Sequence, residues 1–299
     1  MILLELVCLA IVATYAVARL VRAGSAAERA GFVARFAALA TASFAGEDTV
    51  IRAYGYYAYA PGWSVRLDQV PLVIVLVWPV VIDSAATLAR AIVGGAGVGL
   101  GSGRGRVLRI ALLGSAVVLA DASLIEPIAV RAGLWHWTEP GLFAVPLVGI
   151  AGWAFFSFAA IAILESSPVV RRGSTLAALL VIAPVATHLT ILATWWMFFR
   201  WVQGERSGVV AAAVAWAASA VIAVAILRSR EPRRVPASEL LLRLPGAAFF
   251  FALLLVGPAP PPALLLYAVA FAPPYLVALA RIATAKEAPA PSAAPSIPG

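Results

Sequence analysis

Charge is scarce in this chain: of its 299 residues only 12% are charged. There is one cysteine, Cys8, so neither a disulfide framework nor a thiolate metal site can be built. The two histidines, His136 and His188, are too few for an imidazole-rich iron centre. The single lysine, Lys286, lies near the C-terminus, which excludes a retinal-type Schiff base inside a helix bundle. What fills the chain instead is apolar, 63% hydrophobic residues and a mean hydropathy of +0.97, far outside the range of a water-soluble domain of this size.

A spanning helix needs roughly 20 apolar residues. Apolar stretches at about 1–20, 32–50, 70–92, 107–130, 143–165, 174–199, 208–227, 244–257 and 263–283 predict an all-α polytopic membrane protein with eight or nine transmembrane helices. The first reads as a retained helix, since no small-residue cleavage signal follows it. The second and eighth are the weakest, and Pro258 to Pro262 could turn the last two into a broken hairpin. With nine spans, 17 basic residues fall on one side, among them Arg19, Arg90, Arg171, Arg172, Arg243 and Lys286, against Arg52, Arg66, Arg131, Arg200 and Arg206 on the other. The positive-inside rule then puts the N-terminus outside, the C-terminus in the cytoplasm, and the aromatic loops near 54–68 and 133–142 on the outer face of a bacterial inner membrane. The net charge of +8 is thus a matter of topology, and no nucleic-acid partner is expected. Gly94 to Gly105 has neither GxGxxG nor a GK[ST] ending and reads as a flexible linker. Residues 1–283 read as one transmembrane domain, and 284–299 as a disordered cytoplasmic tail.

The informative feature is internal. Glu47, four residues, Arg52 and Ala53 are matched by Glu126, four residues, Arg131 and Ala132. An aromatic loop follows each (YGYYAYAPGW and GLWHWTEPG), then Val-Pro-Leu-Val at 70–73 and 145–148, then Trp78 and Trp153 at the same spacing. Three matches in one order predict a tandem helix-loop-helix repeat, with units at about 44–80 and 120–166. Two helices return the chain to its starting side, so the copies are parallel and related by an axis along the membrane normal, with a site expected at their interface. That axis makes Glu47 and Glu126 equivalent. Each is either a functional acid or a helix-end anchor paired with its nearby arginine.

An acid at bilayer depth is a functional candidate, because an ionised carboxylate there is expensive. Asp83 and Asp121 lie 13 and 14 residues into their spans, roughly 20 Å at 1.5 Å per residue. His188 falls at nearly the same level as Asp121, beside Thr187, Thr190 and Thr194, and is either a catalytic group or an interhelical hydrogen-bond partner. Glu165, near Arg171 and Arg172, reads as a solvated helix end. Pro79 and Pro184 are mild hints of broken helices. A carboxyl in apolar surroundings can serve as a proton donor, and Tyr and Trp faces stabilise a carbocation. Together these suit acid-catalysed addition to, or cyclisation of, an isoprenoid double bond.

The stretch EPIAVRAGLWHW…GLFAVPLVGIAGW resembles the signature of the membrane-integral carotenoid biosynthesis proteins that include bisanhydrobacterioruberin hydratase and gamma-carotene 1'-hydratase, and YGYYAY…VPLVIVLVW resembles the same family's first motif. The resemblance covers about residues 44–166. Glu126 stands where the family has Asp, Ala144 where Gly is expected, and Ile150-Ala151 where Asn-Phe is typical. The resemblance implies a cofactor-free, metal-free hydratase that adds water to the terminal psi-end double bond of an acyclic or monocyclic carotenoid. It implies a lipid or carotenoid substrate in the membrane and association with other enzymes of the pathway. In that scheme Asp121 or Glu126 donates the proton, and Glu47 or Asp83 orients water. Tyr56, Tyr57, Trp135 and Trp137 shield the cation, and His136 relays protons, with Trp78, Trp153 and His188 completing the substrate-binding set. Two other readings stay open, a cyclase or isomerase working through the same cation, and a non-enzymatic carrier of lipid or carotenoid.

Overall fold

The computed structural model describes residues 1–94, 103–166, 173–202, 204–229 and 235–287, the side chains of 284–287 excepted. Most of the glycine-rich linker, Arg171, Arg172 and the tail from 288 lie outside the described residues. The chain is an all-α polytopic membrane protein. Eight helical segments are long and apolar enough to cross a bilayer: α1 (Ile2–Arg22), α3 (Leu72–Gly94), α4 (Arg104–Arg131), α5 (Leu147–Ser166), α6 (Gly173–Met197), α7 (Gly208–Arg228), and two segments that are each broken. The first broken segment is α8 (Ala237–Leu241) with α9 (Leu244–Leu255), the second α10 (Pro262–Val269) with α11 (Ala272–Glu287).

The weak second span becomes the longest helix, α2 (Ala26–Tyr54), started by the Ser25 side chain, which accepts from the Glu28 amide, and ended by Gly55 at φ +60°. Its charges keep it from passing as a span by composition, yet it covers the same height as α1. At one end Ser64, in the loop after α2, donates its amide to Glu5 of α1 (2.5 Å). At the other, only three residues separate Arg22 from the start of α2 at Ala26. Small residues on its buried face, among them Gly31, Ala38, Ala42 and Gly46, let it pack closely on α3 and α6. It is therefore a ninth crossing among the described residues.

Helices α2 to α6 close into a ring, each packed on the next and α6 returning to α2. α1 leans on α3, α9 on α1 and α4, and α7 on α10 and α11. Apolar side chains on the outside of α7, such as Val209, Val214 and Val221, are exposed, as a surface bathed in lipid chains requires. Pro79 and Pro184 sit inside unbroken helices. The breaks fall instead at Leu242–Arg243 and Ala270–Phe271. The fifth span starts later than the apolar run predicts, at Leu147, because Phe143 and Ala144 take positive φ (51° and 65°) in the turn before Pro146.

Outside the helices the chain forms short strands. β1 (Tyr57–Tyr59) pairs antiparallel with β4 (Trp135–Trp137), Ala58 opposite His136. β2 (Arg66–Leu67) and β3 (Val70–Pro71) make a small hairpin. β1 and β4 occupy corresponding places in the two sequence units, and pairing them antiparallel about a central residue pair is what a two-fold axis along the membrane normal produces.

Nine crossings place the loop at 55–71 and the C-terminal end of α11 on opposite faces. In a Cys8→Ser background, cysteines at Gly62 and at Gly24 should be labelled by an impermeant reagent from opposite sides of sealed vesicles. Labelling of both from one side would remove α2 as a crossing.

Candidate active site

Alternation along β1 and β4 points Tyr57, Tyr59 and Trp135 inward, all buried, and leaves His136 exposed on the outer face. Beneath this ribbon lie the two glutamates. Glu47 accepts from the Tyr57 hydroxyl, from the Tyr59 hydroxyl (3.1 Å) and from the Trp78 indole (3.0 Å). Glu126, 3% exposed, accepts from the indoles of Trp135 (2.8 Å), Trp137 (3.0 Å) and Trp153 (2.8 Å). The two units therefore build the same object, a buried carboxyl held by two aromatic donors from the following strand and one tryptophan from the next helix. Trp78 and Trp153 meet with ring centroids 4.5 Å apart, and Tyr57 and Trp137 at 4.6 Å.

Neither glutamate is an anchor for its neighbouring arginine. Arg52 pairs with Asp48 (2.9 Å) and Asp68, and Arg131 donates to the backbone carbonyls of Leu254 (3.1 Å) and Pro258. Every donor to the two carboxyls among the described residues is a neutral indole or phenol. Burial, with Glu47 beside it, pushes the Tyr59 hydroxyl well above its ordinary range, so this phenol remains a donor.

Both glutamates open on a cavity of about 460 Å³, within the size range of small-molecule sites. Its walls come from the ring and from α1, α9 and α11, and they are mostly apolar: Ile11, Val81, Ile125, Phe156, Phe249 and Phe271 are examples. Of the residues that the sequence brings forward, Tyr56, Tyr57, Trp78, Trp135, Trp137, Trp153 and His188 line it, and Tyr59, which is not among them, lines it too. His136 does not, so a relay role for it has no contact with the cavity. Gly149 lets Trp137 lie against α5, for a Cβ there would sit 2.5 Å from the indole ring.

The aspartates part company with the glutamates. Asp83 is off the cavity wall, bound by Arg19 (2.7 Å) and the Tyr15 hydroxyl (2.7 Å), which ties α1 to α3. Arg19 also reaches Glu239 (3.2 Å), as does Arg22 (3.1 Å). Asp121 does face the cavity, in an ion pair with Arg243 (2.5 Å) in which both of its oxygens accept from the guanidinium. Arg243 is thus a buried residue at the break between α8 and α9, not one of the loop charges that the topology count makes it. His188 stands with Thr49 (2.8 Å) and the Tyr54 hydroxyl (2.9 Å) of α2, an interhelical bond away from Asp121, and the hydroxyls of Thr187, Thr190 and Thr194 bond their own helix. Glu165 is no solvated end: with its side chain 9% exposed, it pairs with Arg90 (2.7 Å) and Arg106 (3.6 Å).

Ala144 takes the left-handed conformation, in which a glycine would be unstrained. An alanine there costs roughly 1–2 kcal/mol. Ala144→Gly should therefore stabilise the protein by about 1 kcal/mol, seen as a higher midpoint of thermal aggregation in detergent. An unchanged or lower midpoint would show that the turn carries no such strain.

No curated protein and no solved structure matches the chain. The profile of one family, described as "Carotenoid biosynthesis protein", matches residues 1–216, which span α1, the whole ring and both glutamate clusters. On that match over more than two thirds of its length, the chain belongs to the carotenoid biosynthesis protein family.

Proposed function

We propose that the protein is a carotenoid hydratase, adding water to the terminal psi-end double bond of an acyclic or monocyclic carotenoid to give a tertiary alcohol. The observation that carries this reading is the pair of buried carboxyls, held among the described residues only by neutral donors, at the edge of an apolar, aromatic-walled cavity inside a membrane bundle. Protonating an alkene needs an acid in a dry place. With no cation against either glutamate among the described residues, one of them can hold a proton while the other remains a carboxylate.

Glu126 gives its proton to the less substituted carbon of the double bond, and the positive charge develops on the tertiary carbon. The faces of Tyr57, Trp78, Trp137 and Trp153, with the Glu47 carboxylate between them, stabilise that charge. Water then bonds to the tertiary carbon and loses a proton. Water is the only co-reactant, so the scheme calls for no oxygen, metal or nucleotide. The apolar walls suit a long hydrocarbon drawn from the surrounding lipid, and other enzymes of the pathway supply and remove it. With Arg243 taken out of the loop charges, the remaining basic residues divide 16 to 5, which supports an orientation in a bacterial inner membrane with the aromatic loops outside and the C-terminus in the cytoplasm.

Expression with enzymes that make acyclic carotenoids should yield pigment heavier by one water, labelled from oxygen-18 water and not from oxygen gas. Product of unchanged mass but altered retention would make it a cyclase or isomerase, and untouched substrate would favour a carrier. Glu126→Gln keeps the size and shape of the side chain but accepts from the indoles through one oxygen only, and it cannot give up a proton. It should lower turnover by a factor on the order of 10² to 10⁴, the usual contribution of a general acid, with normal accumulation in the membrane. Near-normal turnover would remove Glu126 as the donor.

A further inference from the structure

The cavity has a second polar place, deeper than the glutamates. Ser84 of α3, Asp121 of α4, Arg243 at the α8–α9 break and Tyr275 of α11 all line it. Arg243 is the hub. One terminal nitrogen grips both Asp121 oxygens (2.6 and 2.5 Å), the other donates to Ser84 Oγ (2.6 Å), and Nε donates to the Tyr275 hydroxyl (3.1 Å). A guanidinium this deep in a membrane bundle is costly unless it serves a purpose there. Arg243 and Tyr275 both lie beyond the stretch that matches the family, so this chain's own C-terminal helices complete the cluster.

The cluster's own bonds decide what it can hold. All three guanidinium nitrogens are engaged, and Ser84 gives its proton to the Val81 carbonyl (3.1 Å). The Tyr275 hydroxyl accepts from Arg243, while its own proton has no acceptor among the described residues. Asp121, 19% exposed, has lone pairs left beyond those Arg243 takes. One free donor beside one free acceptor is the complement of a hydroxyl-sized ligand.

Position adds the second argument. Asp121 precedes Glu126 by five residues on one continuous helix, about 7.5 Å along the axis. Both carboxyls line the same cavity at different depths, which leaves room for an alkene protonated at one level and attacked by water at the other.

Building on the hydratase reading, we infer that Asp121 and Tyr275, positioned by Arg243 and Ser84, form the subsite that holds the attacking water. Tyr275 donates to the water oxygen and Asp121 accepts one of its hydrogens. As the new carbon–oxygen bond forms, the protonated alcohol passes its extra proton to Asp121. Glu126 has lost one proton and Asp121 has gained one, and exchange with water resets both, so the net reaction consumes one water. Arg243 is a positioning residue; it touches neither water nor substrate. The series Glu239, Arg19 and Asp83, ending one residue from Ser84, carries polar groups from the arginine-rich face toward this subsite.

The test is partition of the cation. Membranes containing the full-length chain are given an acyclic carotenoid in deuterium oxide, and both alcohol and recovered alkene are analysed by mass spectrometry. Tyr275→Phe removes only the free donor, and Asp121→Asn keeps the shape. In each, alcohol should fall about ten-fold or more, the rate equivalent of one lost hydrogen bond of about 1.4 kcal/mol. Deuterium should meanwhile appear in the recovered alkene, because a cation that meets no water returns by losing a proton. Glu126→Gln should show neither alcohol nor exchange. Unchanged alcohol in Tyr275→Phe and Asp121→Asn overturns the subsite, and so does a loss of alcohol with no deuterium in the alkene, which would mean that protonation itself had failed. A wild-type protein giving neither alcohol nor deuterium defeats the hydratase reading and this proposal together. Should Tyr275→Phe not accumulate, Asp121→Asn reads the same partition.

Discussion

A carboxyl carried into a lipid-embedded bundle must find its hydrogen-bond partners inside the protein, since no water surrounds it. That requirement organises this chain. Asp83 and Asp121 are met by the guanidinium groups of Arg19 and Arg243, and each pair bolts together helices far apart in sequence. Glu47 and Glu126 are met, among the described residues, by indole and phenol donors alone. The first arrangement makes fixed acceptors. The second keeps carboxyls in reach of a hydrocarbon without a neutralising cation, and that is the chemically useful state.

The two glutamate clusters depend on the repeat. A strand after each helix can present two inward aromatics only because successive side chains alternate, and it can place them over the glutamate only because the strands brace each other through Tyr57–Trp137 and Tyr59–Trp135 pairing. The tryptophan from the next helix closes each cluster from below, and contact between Trp78 and Trp153 joins the two halves at their interface. The C-terminal helices, outside the family match, then cover the open side of the cavity and bring Arg243 and Tyr275 to it.

Much of this was legible in the residues. Long apolar runs can do little else in water-free surroundings than form helices, so eight of the spans were readable, some with shifted ends. The spacing of Glu47 and Trp78 against Glu126 and Trp153 pointed to the carboxyls and their tryptophans together. Tyr59 was readable in hindsight from the alternation of YAY against WHW, while that same alternation turns His136 outward. α2 was the poorest span by composition because its polar residues are satisfied by tertiary partners, as with Glu47 by Trp78, Asp48 by the Gln69 amide and Thr49 by His188.

What the sequence determined by itself was therefore membrane class, approximate span positions, the repeat, and the depth of each ionisable group, because hydropathy and helical rise are local properties of a chain. Which charges meet was decided only by the tertiary structure. Asp83, Asp121 and His188 look alike when ranked by depth, yet one faces α1, one faces the cavity and one faces α2. That difference is azimuthal. The rotation of a helix about its axis is set by how all its neighbours pack, and Arg243, 122 residues from Asp121, carries no mark in the sequence that the two would touch.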